Sequence, residues 1–549
     1  MLIELSSPVF MENGAMRPKI CFKPGLNIVL GKADGENSIG KSTSMLAIDF
    51  AFGGNTYANK NDAIRHIGDH TIFFAFQFDG QRYYFSRDTA SADTITACNE
   101  EYKPTETTYT KTEFVNWLKR MYDIDFVDLS FRETVSSFFR IAGKENIDVL
   151  HPLWGIKGAG MEKSIRILVK LFDRYKDVKE FSSRLEEQSK KLTTYTNARK
   201  YQFVSDIVDG KTQFESNLAL IRNLEMELAS LTESQAESHS EEEIKKSKLK
   251  SKLKAEKLKL ERQIETKEHR VQLLDMSLEY GLYPQESDLT ALHEYFPSID
   301  IRKLYDIENY HRKLAVILDQ QFDEEKQALL RDIEDLQNHV KVLTEEMREL
   351  GVTGNLSKDF LDRHSEIKGK MDALKEQNSA YLTLTQLKEA KSKAASQLHQ
   401  RIEGVLADIQ NDLNYQMKMY NSTLYREQHK PPHLVFREYN SYMFETPDDT
   451  GTGTNYKGLV LYDLAVLALT ALPAISHDSL ILKNVSDGSI DGIMRIYEGF
   501  QKQIFIAFDK QDAYQENTRR IVKENTVLKL SDNGGELYGY SWNTERGQQ

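Results

Sequence analysis

The sequence has 549 residues, which exceeds what one hydrophobic core usually supports, so two or three structural units are expected. Charged residues make up 28% and hydrophobic residues 40%, with only 11 prolines, a balance that favours long polar helices beside a globular part. The formal net charge of −12 at pH 7 excludes a wholly basic nucleic-acid-binding protein, although it leaves room for a local basic patch.

Signals for secretion and for membranes are absent from the sequence. No run of about 18 apolar residues occurs, and the opening MLIELSSPVF lacks a basic region before an apolar core, so we expect no membrane span and no secretory signal. Cys21 and Cys98 are the only cysteines, too few for a disulfide framework or a zinc site. Their scarcity predicts a reducing cytoplasm as the location.

The first distinctive stretch is the loop GKADGENSIGKST, residues 31–43, which follows a short apolar strand at Leu26–Leu30. The residues that fit the phosphate-loop pattern G-x-x-x-x-G-K-[ST] are Gly35, Gly40, Lys41 and Ser42. Apolar residues at helical spacing follow, from Met45 to Phe52. Strand, loop and helix in this order is the context that the motif requires, so a chance match in a turn is the disfavoured alternative.

The chemistry of this loop predicts a bound nucleoside triphosphate. Glycines allow successive backbone N–H groups to wrap a polyphosphate, and the helix after the loop adds the positive end of its dipole. In this pattern Lys41 reaches the β- and γ-phosphates, and the Ser42 hydroxyl is a ligand for Mg²⁺. We therefore expect ATP and Mg²⁺ to bind here.

The rest of the N-terminal part predicts a mixture of strands and helices. Thr71–Phe78 and Arg82–Phe85 predict the two strands of a hairpin, and Glu113–Tyr122 predicts a helix. Residues 128–143 mix apolar and polar side chains without a clear period. Arg140 in that stretch could contact a phosphate, but an ordinary surface arginine is the favoured interpretation.

From about residue 160, glycine and proline become rare, and apolar residues recur at alternating spacings of four and three, as in a coiled coil. The clearest stripe consists of Leu329, Ile333, Leu336, Val340, Leu343, Met347 and Leu350. A second, less regular set consists of Leu253, Leu260, Ile264, Val271, Leu274 and Leu278. Residues 280–301 between them contain Gly281 and two prolines, which predicts a reversal and hence an antiparallel hairpin. An ordinary helical bundle of the same residues is the alternative.

Residues 244–259, IKKSKLKSKLKAEKLK, hold eight lysines. On a helix they would offer a basic face to a polyanion such as the DNA backbone. However, an acidic run at 241–243 precedes them, and no aromatic side chain is interleaved for base stacking. We therefore favour a solvated coiled-coil face over a DNA-binding one.

After about residue 425 the pattern is globular again. Leu434–Phe436 and Tyr442–Phe444 predict strands. Residues 451–457, GTGTNYK, predict a loop before the apolar helix Leu459–Leu472. Free N–H groups at the start of that helix would form a second anion-binding end.

Two further buried strands each lead to a carboxylate. Pro473–Ile475 leads to His477 and Asp478, and Gln503–Phe508 leads to Asp509. A carboxylate at the tip of a buried strand is where a phosphate-loop enzyme anchors Mg²⁺.

In the order of these parts the chain resembles the SMC, RecN and RecF-like branch of ABC-type ATPases. Its C-terminal segment, with DDTGTGTNYKGLVLYDLAVL, HDS and KQIFIAFDK, resembles a bacterial group of these ATPases whose C-terminal part is classed as a domain of unknown function. The resemblance implies an α/β ABC-type ATPase head assembled from both chain ends, with a long antiparallel α-helical coiled-coil arm inserted. The implied domains are an N-terminal lobe at 1–160 with the Walker A loop, an arm at 161–425 with its reversal near 280–301, and a C-terminal lobe at 426–549.

Carried over by position, the resemblance assigns roles to residues at both ends of the chain. The nucleotide-binding residues are Gly35, Glu36, Asn37, Ser38, Ile39, Gly40, Lys41, Ser42, Thr43, Gly451, Thr452, Gly453 and Thr454. The residues implied for catalysis are Lys41, Asp478 and His477, and those implied for Mg²⁺ are Ser42 and Asp478.

Departures from the family pattern affect the hydrolytic step. GTGTNYK replaces the usual Ser-Gly-Gly core of the signature, and Ser479 stands where the family has its catalytic glutamate. Asp509 falls near the place of the switch histidine. His477 or Asp509 is then the candidate for orienting water.

The resemblance implies an ATPase whose heads close around ATP as a homodimer or a higher oligomer. It implies DNA as the partner class, a separate effector protein such as a nuclease, and defence against phages or mobile elements as the setting. A nucleotide-gated scaffold with little hydrolysis and a protein partner is the alternative that Ser479 suggests. A structural coiled-coil protein with a vestigial loop is a third hypothesis, and the intact phosphate-loop pattern speaks against it.

Overall fold

The computed structural model describes residues 1–31, 39–60, 62–155, 158–200, 208, 210–236, 241–279, 301–351, 358–425, 429–509 and 513–542. The chain divides into two compact units. The first, called here the αβ unit, comprises residues 1–184 and 395–549, and the second, called the helical unit, comprises residues 185–394.

The described strands all belong to the αβ unit. In chain order they are β1 (Leu2–Ser6), β2 (Met11–Glu12), β3 (Ala15–Met16), β4 (Ile20–Cys21), β5 (Leu26–Leu30), β6 (Thr71–Phe78), β7 (Gln81–Asp88), β8 (Thr94–Cys98), β9 (Pro104–Thr110), β10 (Phe139–Arg140), β11 (His433–Glu438), β12 (Ser441–Glu445), β13 (Ala474–His477), β14 (Gln503–Phe508) and β15 (Thr526–Lys529).

Helices occur in both units. In chain order those described are α1 (Lys41–Ala51), α2 (Thr56–Lys60), α3 (Asp62–Ile67), α4 (Lys111–Met121), α5 (Phe131–Ser136), α6 (Met161–Leu171), α7 (Tyr175–Lys200), α8 (Lys211–Ala236), α9 (Glu241–Glu279), α10 (Ile301–Glu349), α11 (Lys358–Tyr425), α12 (Thr452–Leu469), α13 (Ser479–Lys483), α14 (Asp487–Glu498) and α15 (Glu516–Asn525).

A five-stranded parallel sheet combines strands from both ends of the chain. Its order is β10-β13-β14-β5-β15, so β5 from the N-terminal part lies between two strands from the C-terminal part. Strands from both ends of the chain therefore form one sheet of the αβ unit.

The central strands of this sheet are buried on both faces. β5 and β14 are buried at every position, which is typical of the centre of a parallel sheet. Alternate residues of β14 enter different cores: Phe505 packs in the cluster that contains α1, and Ile506 packs in the cluster that contains α12. Successive side chains of a strand point to opposite faces of the sheet, so helices cover both faces.

A six-stranded antiparallel sheet, in the order β4-β1-β6-β7-β8-β9, forms the other layer of the N-terminal part. The predicted hairpin is confirmed as β6 and β7, which pair from Thr71 with Asp88 to Phe78 with Gln81. Asp79 and Gly80 both have positive φ, which matches the twist of a two-residue hairpin turn. The predicted helix Glu113–Tyr122 is α4.

In the helical unit, α9 and α10 run antiparallel. Lys267 Nζ lies 2.7 Å from Asp332 Oδ2, and Arg270 Nη2 lies 2.9 Å from Glu325 Oε1. All seven residues of the predicted stripe on α10 are buried or half-buried, whereas every other residue between 329 and 350 is exposed. The coiled-coil stripe is therefore confirmed.

The lysine-rich segment of α9 makes several contacts within the helical unit. Lys250 donates to the carbonyl of Gly351, and Lys254 lies 2.9 Å from Asp362 Oδ1. These contacts favour the predicted solvated coiled-coil face. Of the predicted reversal at residues 280–301, residues 280–300 lie outside the described residues, and residue 301 begins α10.

The boundaries of the units differ from the predicted arm at 161–425. α6, the start of α7 and the end of α11 belong to the αβ unit, because Leu168, Val178 and Leu413 are part of its core. The change of composition near residue 160 marks the start of the helices α6 to α11, whereas the helical unit begins only at residue 185.

Candidate functional site

The parallel sheet brings the start of α1 and the end of β14 together. Lys41 begins α1, and Asp509 follows β14, which pairs directly with β5. Lys41 Nζ lies 2.7 Å from Asp509 Oδ1, and the two side chains are only 6% and 3% exposed. The predicted phosphate-binding lysine therefore lies at the carboxyl edge of the sheet, against a buried acid.

Glycines make this close approach possible. A Cβ on Gly31 would lie 2.2 Å from Asp509 Oδ1 and 3.0 Å from Lys41 Nζ. Gly40 has a φ of 95°, and a Cβ there would lie 2.6 Å from the Cβ of Leu537. The positive φ and the contact with Leu537 therefore favour glycine at position 40, and the glycine at position 31 leaves room for the Lys41 and Asp509 side chains.

The first turn of α1 lies at the end of this cradle. Gly40 is the N-cap of α1, so no side chain caps the helix there. Ser42 and Thr43 are half-buried on the first turn, and the Ile39 carbonyl accepts a hydrogen bond from Leu537 N at 3.1 Å. The positive end of the α1 dipole and the Ser42 hydroxyl suit a phosphate and its Mg²⁺. Gly35, Glu36, Asn37 and Ser38, the other predicted loop residues, lie outside the described residues.

Asp478 follows β13, one strand removed from β5, and is 1% exposed. Its carboxylate accepts hydrogen bonds from Ala142 N and Leu480 N, both at 3.2 Å, and from Ser479 Oγ at 3.3 Å. It therefore caps the short helix α13 at the same edge of the sheet as Lys41. This placement suits a Mg²⁺ anchor, although the carboxylate also has a structural task.

His477 is enclosed in a network of side chains with no exposed surface. Its Nε2 lies 3.1 Å from Asp463 Oδ2, and its Nδ1 lies 2.6 Å from the hydroxyl of Tyr497. Burial, and then the charge of Asp463, raises the pKa of Tyr497 well above its ordinary value, so the phenol stays neutral. With both ring nitrogens engaged and no exposed surface, His477 gains no support here for the predicted role in orienting water.

Arg140 completes this network, and the prediction of a surface arginine is wrong. Its side chain is fully buried, and it donates to both oxygens of Asp463, at 3.0 Å through Nε and 2.9 Å through Nη2. It also donates to the carbonyls of Asn146 and Pro152, at 2.7 and 2.6 Å. Asp463 offered a signal in the sequence, because a lone acid inside the apolar helix α12 needs a buried partner.

The segment GTGTNYK differs from the predicted loop ahead of a helix. α12 begins at Thr452, so most of the segment forms its first turns, with Gly451 as the N-cap. Packing of α12 in the core outweighs the low helix propensity of glycine and threonine. Asp449 accepts hydrogen bonds from Gly451 N at 3.1 Å and from Thr454 Oγ1 at 2.8 Å. An acid of the same loop therefore occupies part of the predicted anion-binding end.

Another buried acid, Asp49, lies further along α1 and was not predicted. Asp49 Oδ1 lies 2.9 Å from Arg132 Nη2 and 3.1 Å from Lys144 Nζ. Burial opposes the charge of Asp49, but the two cations outweigh burial and lower its pKa. Burial lowers the pKa of Lys144 to about 8. These ion pairs fix α1, and with it the end of the phosphate loop, to the chain around residues 132–144.

Two kinds of feature are missing from the described parts of the chain. No group of three or more His, Cys, Asp or Glu side chains is placed to hold a metal ion there. The helices that the structure describes also include none with the length and apolar character needed to cross a membrane.

The C-terminal part of the chain is similar to a known family. Residues 419–542 match a family described as an uncharacterised protein conserved in bacteria, DUF2326. This match confirms the resemblance of that segment to a bacterial group with a domain of unknown function. No curated protein matches the chain.

Solved structures of SMC heads are similar to the chain at low identity. One is the Smc head domain with a coiled coil and joint from Pyrococcus yayanosii, 14% identical over 96% of this chain and 94% of that chain, with a TM-score of 0.38. Another is the Smc head domain with an extended coiled coil bound to the C-terminal domain of ScpA from Pyrococcus furiosus, 10% identical over 96% of this chain and 92% of that chain, with a TM-score of 0.37. Both likenesses are distant, so the function of this chain is inferred from its own residues.

Proposed function

We propose that this chain binds ATP through residues 31–43 and hydrolyses it. The observation that carries the proposal is the position of Lys41, at the first turn of a helix that follows a buried parallel strand. The carboxyl edge of such a sheet is where nucleotides bind in open α/β folds. Lys41 is held there by Asp509 at 2.7 Å, close to the place where the terminal phosphates would lie.

Ser42 and Asp478 would hold Mg²⁺ in this proposal. Ser42 lies half-buried on the first turn of α1, and Asp478 is a buried carboxylate at a neighbouring strand end. The ion would neutralise negative charge on the phosphates. Lys41 would bind the terminal phosphates as a point charge and stabilise the charge that develops on them.

A second candidate function is a nucleotide-gated scaffold that hydrolyses ATP slowly and binds a protein partner. Two features favour this scaffold: His477 is buried with both ring nitrogens hydrogen-bonded, and residue 479 is a serine. Neither residue offers a general base that could activate water. In that case ATP binding, rather than turnover, would change the conformation of the protein.

Partners and setting are proposed from the sequence resemblance alone. We propose that two chains, or a higher oligomer, close around ATP in the cytoplasm. Gly451–Thr454 of one chain would then contact the nucleotide of the other, after displacement of Asp449. DNA is the proposed partner class, with a separate effector such as a nuclease, in prokaryotic defence against phages or mobile elements.

Lys41→Ala tests nucleotide binding. Titration calorimetry with ATP and Mg²⁺ should show binding to the unchanged protein and none to the variant, because the central phosphate contact is lost. Lys523→Ala, an exposed lysine on α15, is the matched control and should bind as the unchanged protein does. Equal affinity of the Lys41 variant and the unchanged protein would refute the proposal.

The rate of ATP hydrolysis and the mass of the protein in solution distinguish the two candidate functions. The hydrolysis rate is measured with and without duplex DNA, and the mass with and without ATP. DNA-stimulated turnover with an ATP-dependent rise in mass supports the DNA-responsive ATPase. An ATP-dependent mass change with negligible turnover supports the scaffold.

A further inference from the structure

The carboxylate of Asp509 is shared by two lysines. Lys41 Nζ lies 2.7 Å from Oδ1, and Lys483 Nζ lies 3.0 Å from Oδ2. Because one carboxylate bridges the two ammonium groups, both cations lie at the same edge of the parallel sheet.

The short helix α13 holds Lys483 at this place. α13 begins with Asp478 as its N-cap and ends at Lys483, so one helical turn joins the proposed Mg²⁺ anchor to the second lysine. The Lys483 side chain is 33% exposed, whereas Lys41 and Asp509 are almost fully buried. Its ammonium group therefore lies at the rim of the site, with room to turn toward a ligand.

The positions of the two lysines suit an anion. Lys483 brings a second positive charge to the edge of the sheet where Lys41 lies. Solvent screens the buried Lys41 charge little, so it acts strongly on an incoming anion. A triphosphate carries more negative charge at its terminal end than a diphosphate does, and the terminal end is the one that Lys41 would reach.

We propose that Lys483 is a second phosphate-binding lysine, which contacts the terminal phosphate and makes the site prefer a nucleoside triphosphate over a diphosphate. This inference rests on the proposed function, since it requires the phosphates to lie at Lys41. Asp509 keeps both ammonium groups in place before the nucleotide binds. Lys483 then supplies specificity, and Lys41 supplies affinity for both nucleotides.

Lys483→Ala tests this assignment through two affinities measured by titration calorimetry with Mg²⁺. The affinity for ATP should fall by about tenfold or more, as expected for the loss of a charge-assisted hydrogen bond, while the affinity for ADP changes by less than about twofold. Lys483→Arg keeps the charge and should retain most of the preference for ATP. Lys523→Ala should change neither affinity.

The outcomes distinguish this inference from the proposed function. Unchanged ATP affinity in Lys483→Ala, or equal losses for ATP and ADP, would show that Lys483 only neutralises Asp509, and the inference would fail. If Lys41→Ala abolishes ATP binding in the same experiments, the proposed function stands without it. Should the alanine variant unfold, the ratio of ATP to ADP affinities in Lys483→Gln decides the question in the same way.

Discussion

Arg140 and Asp463 form a two-point ion pair without any exposed surface, with Nε to Oδ2 at 3.0 Å and Nη2 to Oδ1 at 2.9 Å. The pair joins β10 to α12, and Asp463 also holds His477, the residue before Asp478. The backbone carbonyl of Arg140 in turn accepts a hydrogen bond from Asp478 N at 2.9 Å. The position of Asp478 therefore depends on residues from three separate elements.

Asp463→Ala should destabilise the αβ unit by about 3 to 5 kcal/mol, because it leaves the Arg140 charge buried without a counter-ion. The sequence has three tryptophans, Trp117, Trp154 and Trp542, and all lie in the αβ unit. Tryptophan fluorescence during urea unfolding therefore reports on this unit. Asp412→Ala, at an exposed site on α11, should leave the midpoint almost unchanged. An equal midpoint for the Asp463 variant and the unchanged protein would contradict the prediction.

Asp478→Asn should reduce Mg²⁺-dependent ATP turnover much more than ATP affinity. The amide keeps one oxygen, which can accept from either Ala142 N on the Oδ2 side or Leu480 N on the Oδ1 side, and it loses the charge that a Mg²⁺ ligand needs. Initial rates over a range of Mg²⁺ concentrations, together with calorimetric ATP affinities, measure the two effects. Asp487→Asn, an exposed aspartate on α14, is the control. Proportionate losses of turnover and affinity would indicate that Asp478 serves only as a helix cap.

Gly54→Ala should lower the free energy of unfolding by about 1 to 3 kcal/mol, the usual cost of forcing an atom into a packed interior. The new Cβ would lie 2.0 Å from Asp49 Oδ2 and 2.9 Å from the Asp49 carbonyl oxygen, so the Asp49 carboxylate, whose Oδ1 pairs with Arg132 and Lys144, must shift. A Cβ on Gly488 would have no atom of the described residues within 4 Å, so Gly488→Ala should be neutral or slightly stabilising. Urea midpoints of the two variants provide the comparison, and similar midpoints would count against this packing.

The lowered pKa of Lys144 predicts that the free energy of unfolding changes with pH in the alkaline range. Burial lowers its pKa from 10.5 to about 8, so the folded protein binds this proton more weakly than the unfolded chain does. The resulting penalty is complete below about pH 8 and is relieved as the pH rises toward 10.5, where the unfolded chain also loses the proton.

The stability of the unchanged protein minus that of Lys144→Met should therefore be constant below about pH 8 and increase between about pH 8 and pH 10, by at most about 1.4 kcal/mol per pH unit. Burial also lowers the pKa of Arg87, to about 9. Both proteins contain Arg87, so its contribution cancels when the two stabilities are subtracted. Lys523→Met, at an exposed site, should give a difference that does not vary with pH. A flat difference for Lys144→Met would refute the assignment.

The sequence by itself determined the elements whose signals are local. The phosphate-loop pattern, the hairpin at Asp79 and Gly80, the stripe around Ile333 and the apolar strand Gln503–Phe508 all follow from neighbouring residues. Turn conformation, heptad spacing and unbroken apolar runs act over a few residues, so they can be read without knowledge of the fold.

Only the tertiary structure decided which of these elements meet. Arg140 lies 323 residues from Asp463 along the chain, and Lys41 meets Asp509 because β5 inserts between β14 and β15. The burial of Arg140, the early start of α12 and the sharing of Asp509 by Lys483 depend on packing between distant segments. Such contacts form only when the fold closes, because side chains so far apart in sequence have no shared periodicity to reveal them.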